Sequence, residues 1–125
     1  MSHSILIVED NAINRELLRD ILVFHGYKIA EASDGQGGVD LARELMPDLI
    51  LMDIQMPGLD GMTACGILKA EPETRGLKII ALTSFAMRGD REKLLEAGFD
   101  GYLSKPINTR EIHSLVEQWL NEPQP

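Results

Sequence analysis

Acidic residues directly follow two apolar segments of the chain. Glu9 and Asp10 come after Ser4–Val8, and Asp53 comes after Leu49–Met52. Carboxylates that lie close together repel one another, and burying them without a cation is costly. Oxygen ligands of this kind suit Mg²⁺, a hard dication that keeps several waters and often bridges to phosphate oxygens. If the fold brings these side chains together, they could form a magnesium site.

Hydroxyl and ammonium groups follow two further apolar segments. Thr83 and Ser84 come after Lys78–Leu82, and Lys105 follows another short apolar run. An aspartate carboxylate can act as a nucleophile and become an aspartyl phosphate. Phosphoryl transfer needs positioning and neutralisation of the phosphoryl oxygens, which Mg²⁺, Lys105 and the Thr83 hydroxyl could supply. These residue types together indicate phosphoryl chemistry at Asp53.

The elements that must position these side chains can be predicted from the apolar pattern. Short apolar runs alternate with segments of helical period, which predicts five strands and five helices. The predicted strands are Ser4–Val8, Tyr27–Ala32, Leu49–Met52, Lys78–Leu82 and Gly101–Ser104. Strands that alternate with helices predict an α/β fold, a doubly wound five-stranded parallel sheet with helices on both faces.

The second predicted strand carries Lys28 and Glu31 and therefore suits an edge of the sheet. This gives the order 2-1-3-4-5 of flavodoxin-like, three-layer (βα)5 sandwiches. In such sheets the ligand site lies at the carboxyl ends of the strands, at the switch point between strands 1 and 3. The fold is therefore expected to collect three carboxylates, two hydroxyls and one ammonium at one edge.

Helix starts and faces follow from capping residues and apolar spacing. Asn11 and Asp34 are expected to cap the first and second helices. The predicted buried face of the first helix consists of Ile13, Leu17, Ile21 and Phe24. The predicted inner face of the second helix consists of Val39, Ala42, Leu45 and Met46. The remaining helices are predicted over about Met62–Ala70, over Asp90–Ala97 and from about Thr109.

Composition sets the outer limits of the interpretation. The 125 residues fit a single domain, with a core over about 5–120 and a tail at 121–125. The net charge of −8 argues against nucleic-acid binding and against adsorption to an anionic membrane surface. The chain has one cysteine, and its start lacks the basic and apolar segments of a signal peptide. No apolar run approaches the roughly 20 residues needed to span a bilayer, so a cytoplasmic location is expected.

Each strand-end residue alone would be unremarkable, but their joint occurrence resembles the receiver domains of two-component response regulators, in the CheY-like superfamily. The matching motifs are Glu9-Asp10-Asn11, Asp53 with Met56-Pro57-Gly58 and Asp60-Gly61, Thr83-Ser84, and Lys105-Pro106. The resemblance runs from about Ile5 to Leu120. The stretch 83–90, TSFAMRGD, looks especially like single-domain DivK-type receivers and the receivers of hybrid kinases.

The resemblance implies a magnesium-dependent phosphoacceptor site. Asp53 would be the phosphoacceptor. Asp10 would bind Mg²⁺ directly and Glu9 mainly through water, while the backbone carbonyl of Gln55 would complete the protein ligands. Mn²⁺ is expected to substitute for Mg²⁺.

The resemblance also implies how the phosphoryl group would be sensed. Thr83 would bond it, Lys105 would pair with its oxygens, and the ring of Tyr102 would move inward as Thr83 is drawn to the phosphate. The peptide bond between Lys105 and Pro106 would be cis. The phosphate would be surrounded by Gln55, Ser84 and Phe85. The bulk of Phe85 predicts a slower loss of phosphate than in a receiver with an acidic residue at that position.

The implied function is that of a response regulator in two-component signal transduction. A sensor histidine kinase or a histidine phosphotransfer protein would donate the phosphoryl group, and a downstream protein would bind helix 4, strand 5 and helix 5. No nucleic acid and no membrane are expected as partners, and a monomer or a weak phosphorylation-dependent dimer is expected. The protein would be a switch with self-catalysed phosphorylation and dephosphorylation rather than an enzyme.

Four alternatives stay open at the level of sequence. The chain could be a receiver from a hybrid histidine kinase or a longer regulator, or a degenerate receiver that only binds partners. A haloacid-dehalogenase-type phosphatase also uses an Asp and Mg²⁺, but it needs an acid two residues further on, where this chain has Gln55. A flavodoxin-type FMN binder has the same sheet order, but Glu9 and Asp10 would repel its phosphate.

Overall fold

The computed structural model describes residues 3–84 and 90–122. Strands and helices alternate along these residues. The elements are β1 Ser4–Val8, α1 Ala12–Phe24, β2 Lys28–Ala32, α2 Gly35–Leu45, β3 Leu49–Asp53, α3 Gly61–Ala70, β4 Ile79–Thr83, α4 Asp90–Ala97, β5 Gly101–Ser104 and α5 Ile112–Asn121.

The strands form one parallel sheet in the order β2-β1-β3-β4-β5, which confirms the predicted α/β topology. The register aligns Val8 with Met52 and Thr83 with Ser104. Asp53, the last residue of β3, lies beside Leu82 of β4. The carboxyl ends of the central strands therefore meet at one edge of the sheet.

Alternate residues of each central strand face opposite sides, so the sheet has a core on each face. One core contains Leu6, Val8, Ile50, Met52, Ile79 and Ala81. The other core contains Ile5, Ile7, Leu49, Leu51, Ile80 and Leu82. Strands buried on both faces read as continuous apolar runs, and this is why the central strands could be located in the sequence.

Three helices begin at side-chain caps just beyond the carboxyl ends of strands. The carboxamide oxygen of Asn11 accepts from the N–H of Asn14, and the carboxylate of Asp34 accepts from the N–H of Gly37. Asp60 caps α3 in the same way. These bonds satisfy otherwise unpaired N–H groups and fix where each helix starts beside the sheet edge.

The predicted buried face of α1 is wrong in most of its positions. Ile13 and Phe24 are exposed by 77% and 83%, and Leu17 is also exposed. The buried positions are Leu18 and Leu22, with only the half-buried Ile21 taken from the predicted set. A shift of one residue turns a helix by about 100°, so α1 docks through a neighbouring face. The helix carries two apolar faces, and the sheet can cover only one of them.

The predicted inner face of α2 is correct for its first half only. Val39 and Ala42 are buried, whereas about half of Leu45 and of Met46 is exposed. Met46 ends the helix in the left-handed conformation, with φ of 46°. Because the helix ends there, Leu45 and Met46 do not pack into the core.

Smaller differences concern element ends. β4 begins and ends one residue later than predicted, so Thr83 belongs to the strand. α5 begins at Ile112 rather than near Thr109. In the loop before it, the N–H of Arg110 donates to the side chain of Asn108. Within 3–84 and 90–122, no helix has the length and apolar character needed to cross a bilayer.

The orientation of α1 predicts opposite effects for two adjacent leucines. Leu18 is 1% exposed and Leu17 is 43% exposed. We expect Leu18→Ala to lower the free energy of unfolding by about 3 kcal/mol, because it leaves a cavity in the core. Leu17→Ala should change it by less than about 1 kcal/mol. Urea unfolding of both variants checks this, and equal losses would contradict the orientation.

Candidate phosphoacceptor site

Three carboxylates meet at the carboxyl edge of the sheet. One oxygen from each of Glu9, Asp10 and Asp53 lies within 4.8 Å of the other two. Glu9 and Asp53 are buried at the ends of β1 and β3, whereas Asp10 is exposed. The structure therefore brings together the three acidic residues that the sequence singled out.

Lys105 joins two of these carboxylates. Its Nζ lies 2.9 Å from Oδ2 of Asp53 and 3.0 Å from Oε1 of Glu9. The side chain arrives from the loop after β5, where the Lys105–Pro106 peptide bond is cis. The backbone N–H of Lys105 donates to the carbonyl of Thr83 at 2.7 Å, which ties this loop to the end of β4.

The charges of this cluster do not balance. When all three carboxylates are ionised, they and the Lys105 ammonium together carry a net charge of −2. A dication would neutralise that charge, and the available donors are all oxygen atoms, which hard cations prefer. The donor set therefore fits Mg²⁺, with Asp10 as the accessible carboxylate.

The two buried carboxylates hold their protons differently. The pKa of Glu9 is raised to about 7, chiefly by burial and also by its hydrogen bond with Asp53. Burial acts to raise the pKa of Asp53 too, but its bonds with Glu9, Lys105 and the N–H of Gln55 outweigh burial and lower it. Asp53 therefore stays ionised at neutral pH, where Glu9 is only partly ionised, and an ionised carboxylate is the form a nucleophile needs.

The backbone around Asp53 is held on both sides. The N–H of Gln55 donates to Oδ1 of Asp53 at 2.9 Å, and the N–H of Ile54 donates to the carbonyl of Leu82 at 3.2 Å. A Cβ at Gly61 would lie 2.2 Å from the carbonyl oxygen of Asp53. Only glycine allows α3 to start this close to the end of β3.

Glu9 is held by contacts that the sequence analysis missed. Its N–H donates to the carbonyl of Ala32, and its own carbonyl accepts from Nη1 of Arg15 at 2.8 Å. Nδ2 of Asn14 donates to Oε1 of Glu9 at 3.1 Å. The spacing of Asn14 from the cap Asn11 was the available signal, because a side chain at the third helical position reaches back past the start of its helix.

The other predicted site residues within the described part of the chain lie on or directly after β3, β4 and β5. Thr83 is buried at the end of β4, and Ser84 beside it is exposed. The side chain of Gln55 is exposed, and Tyr102 on β5 is exposed by 36%. Phe85 lies outside the described residues.

A cleft of about 350 Å³ opens beside Lys105, between α1 and the loop after β5. It is lined by Asn14, Leu17, Ser84, Lys105, Pro106 and Ile107. The cleft places Leu17 of α1 beside Lys105. Leu17 is exposed together with Ile13 and Phe24 of the same helix, and these three residues are called the α1 stripe below.

The geometry agrees with a comparison of the sequence with known families. The family model described as "Response regulator receiver domain" matches residues 5–117. The chain belongs to the receiver-domain family of response regulators. The receiver therefore carries its acidic cluster at the sheet edge where the sequence motifs predicted it.

Individual relatives agree with this assignment. The receiver is 41% identical to the polar-differentiation response regulator DivK of Brucella ovis, over 98% of this chain and 99% of that protein. It is 37% identical to the receiver domain of the sensor histidine kinase PA1611 of Pseudomonas aeruginosa, with a TM-score of 0.88 and coverage of 98% and 100%. That crystal structure has a magnesium ion coordinated in the active-site cleft.

A third similar structure contains a partner. The receiver domain of the response regulator Ssk1 of Saccharomyces cerevisiae was crystallised with the histidine phosphotransfer protein Ypd1. This receiver is 31% identical to the matched chain, with a TM-score of 0.88 and coverage of 94% of this chain and 88% of that one. The sequence-level resemblance to DivK-type and hybrid-kinase receivers is thus confirmed.

The tight packing at Gly61 predicts a strong effect of one added methyl group. We expect Gly61→Ala to destabilise the receiver by about 2 kcal/mol, because its Cβ would displace the carbonyl of Asp53. Gly66 of the same helix is the matched control, since a Cβ there meets nothing within 4 Å. Gly66→Ala should stabilise by up to about 1 kcal/mol. Thermal unfolding measures both, and equal stabilities of the two variants would contradict the packing argument.

Proposed function

We propose that Asp53 accepts a phosphoryl group from a phosphohistidine of a sensor kinase or a histidine phosphotransfer protein. The observation that carries this proposal is the ion pair between Lys105 and Asp53 inside the cluster of three carboxylates. Lys105 reaches both buried acids, so one cation already stands where the oxygens of an arriving phosphoryl group need neutralisation.

Glu9, Asp10 and Asp53 are the residues that would hold Mg²⁺, together with the backbone carbonyl of Gln55. When bound, Mg²⁺ would neutralise phosphoryl oxygens and orient the group for attack. The oxygen donors and the negative charge of the cluster support this, and so does the magnesium ion in the similar PA1611 receiver. Mn²⁺ prefers similar ligands and is proposed to substitute.

The transfer itself would be a displacement at phosphorus. One oxygen of the ionised Asp53 carboxylate forms the new bond to phosphorus, while the bond to the donor imidazole nitrogen breaks. The nitrogen leaves with the electron pair, and Lys105 pairs with the phosphoryl oxygens. The N–H of Gln55 holds the carboxylate in place during the attack.

The output would follow from the added charge near Thr83. A phosphoryl group adds about −1.5 to −2 charge and strong acceptors, and the Thr83 hydroxyl would turn toward it. Tyr102, now exposed on β5, would move inward and change the surface of α4, β5 and α5. Leu95 of α4 and Tyr102 are both exposed on these elements, which supports this surface as the site for a downstream protein.

The receiver would act as a switch and not as a turnover enzyme. The position two residues after Asp53 carries the amide of Gln55, which cannot protonate a leaving group as the acid of a dehalogenase-type phosphatase does.

Cys65 is a buried free thiol, in keeping with the proposed cytoplasmic location.

The phosphodonor is proposed to dock on the α1 stripe. A phosphohistidine can reach Asp53 only if its protein covers the rim of the acidic pocket. Leu17 stands on that rim, and Ile13 and Phe24 continue the apolar surface along the helix. An apolar stripe at helical spacing is suited to pack against another helix. A donor that presents an apolar helix would fit this surface, and the complex of Ypd1 with the Ssk1 receiver supports a histidine phosphotransfer protein as the class of donor.

The central proposal predicts the behaviour of one substitution. With acetyl phosphate and Mg²⁺, the receiver should gain the mass of one phosphoryl group, and Asp53→Asn should gain none. Asp48→Asn serves as the control, because Asp48 precedes β3 at the opposite end of the strand. Intact-mass spectrometry measures the result. An unmodified wild type, or a modified Asp53→Asn, would overturn the assignment of Asp53.

The docking proposal predicts different effects with two kinds of donor. Ile13→Ala/Leu17→Ala should slow phosphotransfer from a phosphorylated histidine phosphotransfer protein about tenfold, as expected for loss of buried interface contacts. The rate with acetyl phosphate should stay within about twofold of wild type, because a small donor needs no docking surface.

Leu45→Ala is the matched control for this test, because Leu45 is exposed to a similar extent but lies on α2. Its transfer rate should equal that of the wild type with both donors. An equal loss with both donors in the α1 variant would show damage to the pocket, and no loss with either would exclude α1 as the docking surface.

A further inference from the structure

Asn14 contacts the acidic cluster without belonging to the motifs that predicted it. Its Nδ2 donates to Oε1 of Glu9 at 3.1 Å, and its side chain lines the cleft beside Lys105. Its backbone N–H is bonded independently to the side chain of the cap Asn11 at 3.0 Å. The backbone of Asn14 is therefore fixed at the start of α1 by Asn11, while its carboxamide bonds to Glu9.

The Glu9 carboxylate needs a second hydrogen-bond donor because its ion-pair partner, Lys105, does not serve Glu9 alone. Lys105 contacts both Glu9 and Asp53. Once Asp53 carries a phosphoryl group, the same ammonium would pair with the phosphoryl oxygens, and its hold on Glu9 would weaken. The bond from Asn14 does not compete with the phosphoryl group, so it can keep the Glu9 carboxylate in place.

The chemical nature of Asn14 also suits a site for a dication. An amide donates a hydrogen bond to a carboxylate without adding charge. A second lysine or arginine in this position would repel the metal ion and cancel part of the negative charge that attracts it. Groups that orient a metal-binding carboxylate commonly change metal affinity about 10- to 100-fold when removed.

We propose that Asn14 is a positioning residue that holds the Glu9 carboxylate in the orientation required for Mg²⁺ binding, independently of Lys105. This inference rests on the proposed function, since it concerns the same metal site. It assigns no contact between Asn14 and the ion, and it requires that the effect of Asn14 pass through Glu9.

A double-mutant cycle tests this requirement. Mg²⁺ affinity is measured by isothermal titration calorimetry on the unphosphorylated wild type, Asn14→Ala, Glu9→Gln and the double variant. Asn14→Ala should weaken binding about tenfold. In the Glu9→Gln background the same change should alter affinity less than about twofold, because coupled residues give non-additive effects.

Asn108→Ala is the control, because Asn108 makes a local bond to the N–H of Arg110 instead of a bond to the cluster. It should bind Mg²⁺ like the wild type. Melting temperatures of all variants separate lost folding from lost affinity: the inference is supported if Asn14→Ala melts near the wild type and binds more weakly.

Two results would overturn the inference. One is an unchanged Mg²⁺ affinity in Asn14→Ala, and the other is an equal loss with and without the Glu9 carboxylate. Failure of the proposed function looks different, because Mg²⁺ would then bind normally while acetyl phosphate leaves Asp53 unmodified. A wild type that binds no Mg²⁺ would overturn both.

Discussion

Electrostatic repulsion among three carboxylates is the constraint on which the rest of the receiver depends. The parallel sheet brings Glu9, Asp10 and Asp53 to one edge, where they can coexist only with compensating positive charge. Lys105 supplies one unit of that charge through contacts with both buried acids. The negative charge that Lys105 leaves uncompensated makes the pocket suited to a dication, and the dication in turn suits it to an incoming phosphoryl group.

Most of the architecture was predictable because central parallel strands are apolar on both sides. The runs that became β1 and β3 carry no polar interruption, and the strand-end acids follow them directly. The sheet order then placed Thr83 and Lys105 beside those acids. For this reason the candidate site could be predicted from residue types and topology alone.

The orientation of α1 could not be predicted, because the helix has two apolar faces of similar quality. The sequence pattern favoured the face of Leu17, whereas the sheet covers the face of Leu18. That choice turns Asn14 and Arg15 toward Glu9, so core packing on one side of the helix determines the polar contacts at the pocket. Contacts of this kind depend on the rotation of a whole helix, which no local sequence signal specifies.

The exposed α1 stripe has a consequence for how the molecules behave in solution. An apolar strip on the surface of a small protein favours association between copies, but each copy also carries a net charge of −8. At low ionic strength we expect the shared negative charge to keep the copies apart. Added salt screens this repulsion over a distance of about 10 Å at 0.1 M, while the apolar attraction persists. We therefore expect self-association of the receiver to depend on the salt concentration as well as on the shape of the surface.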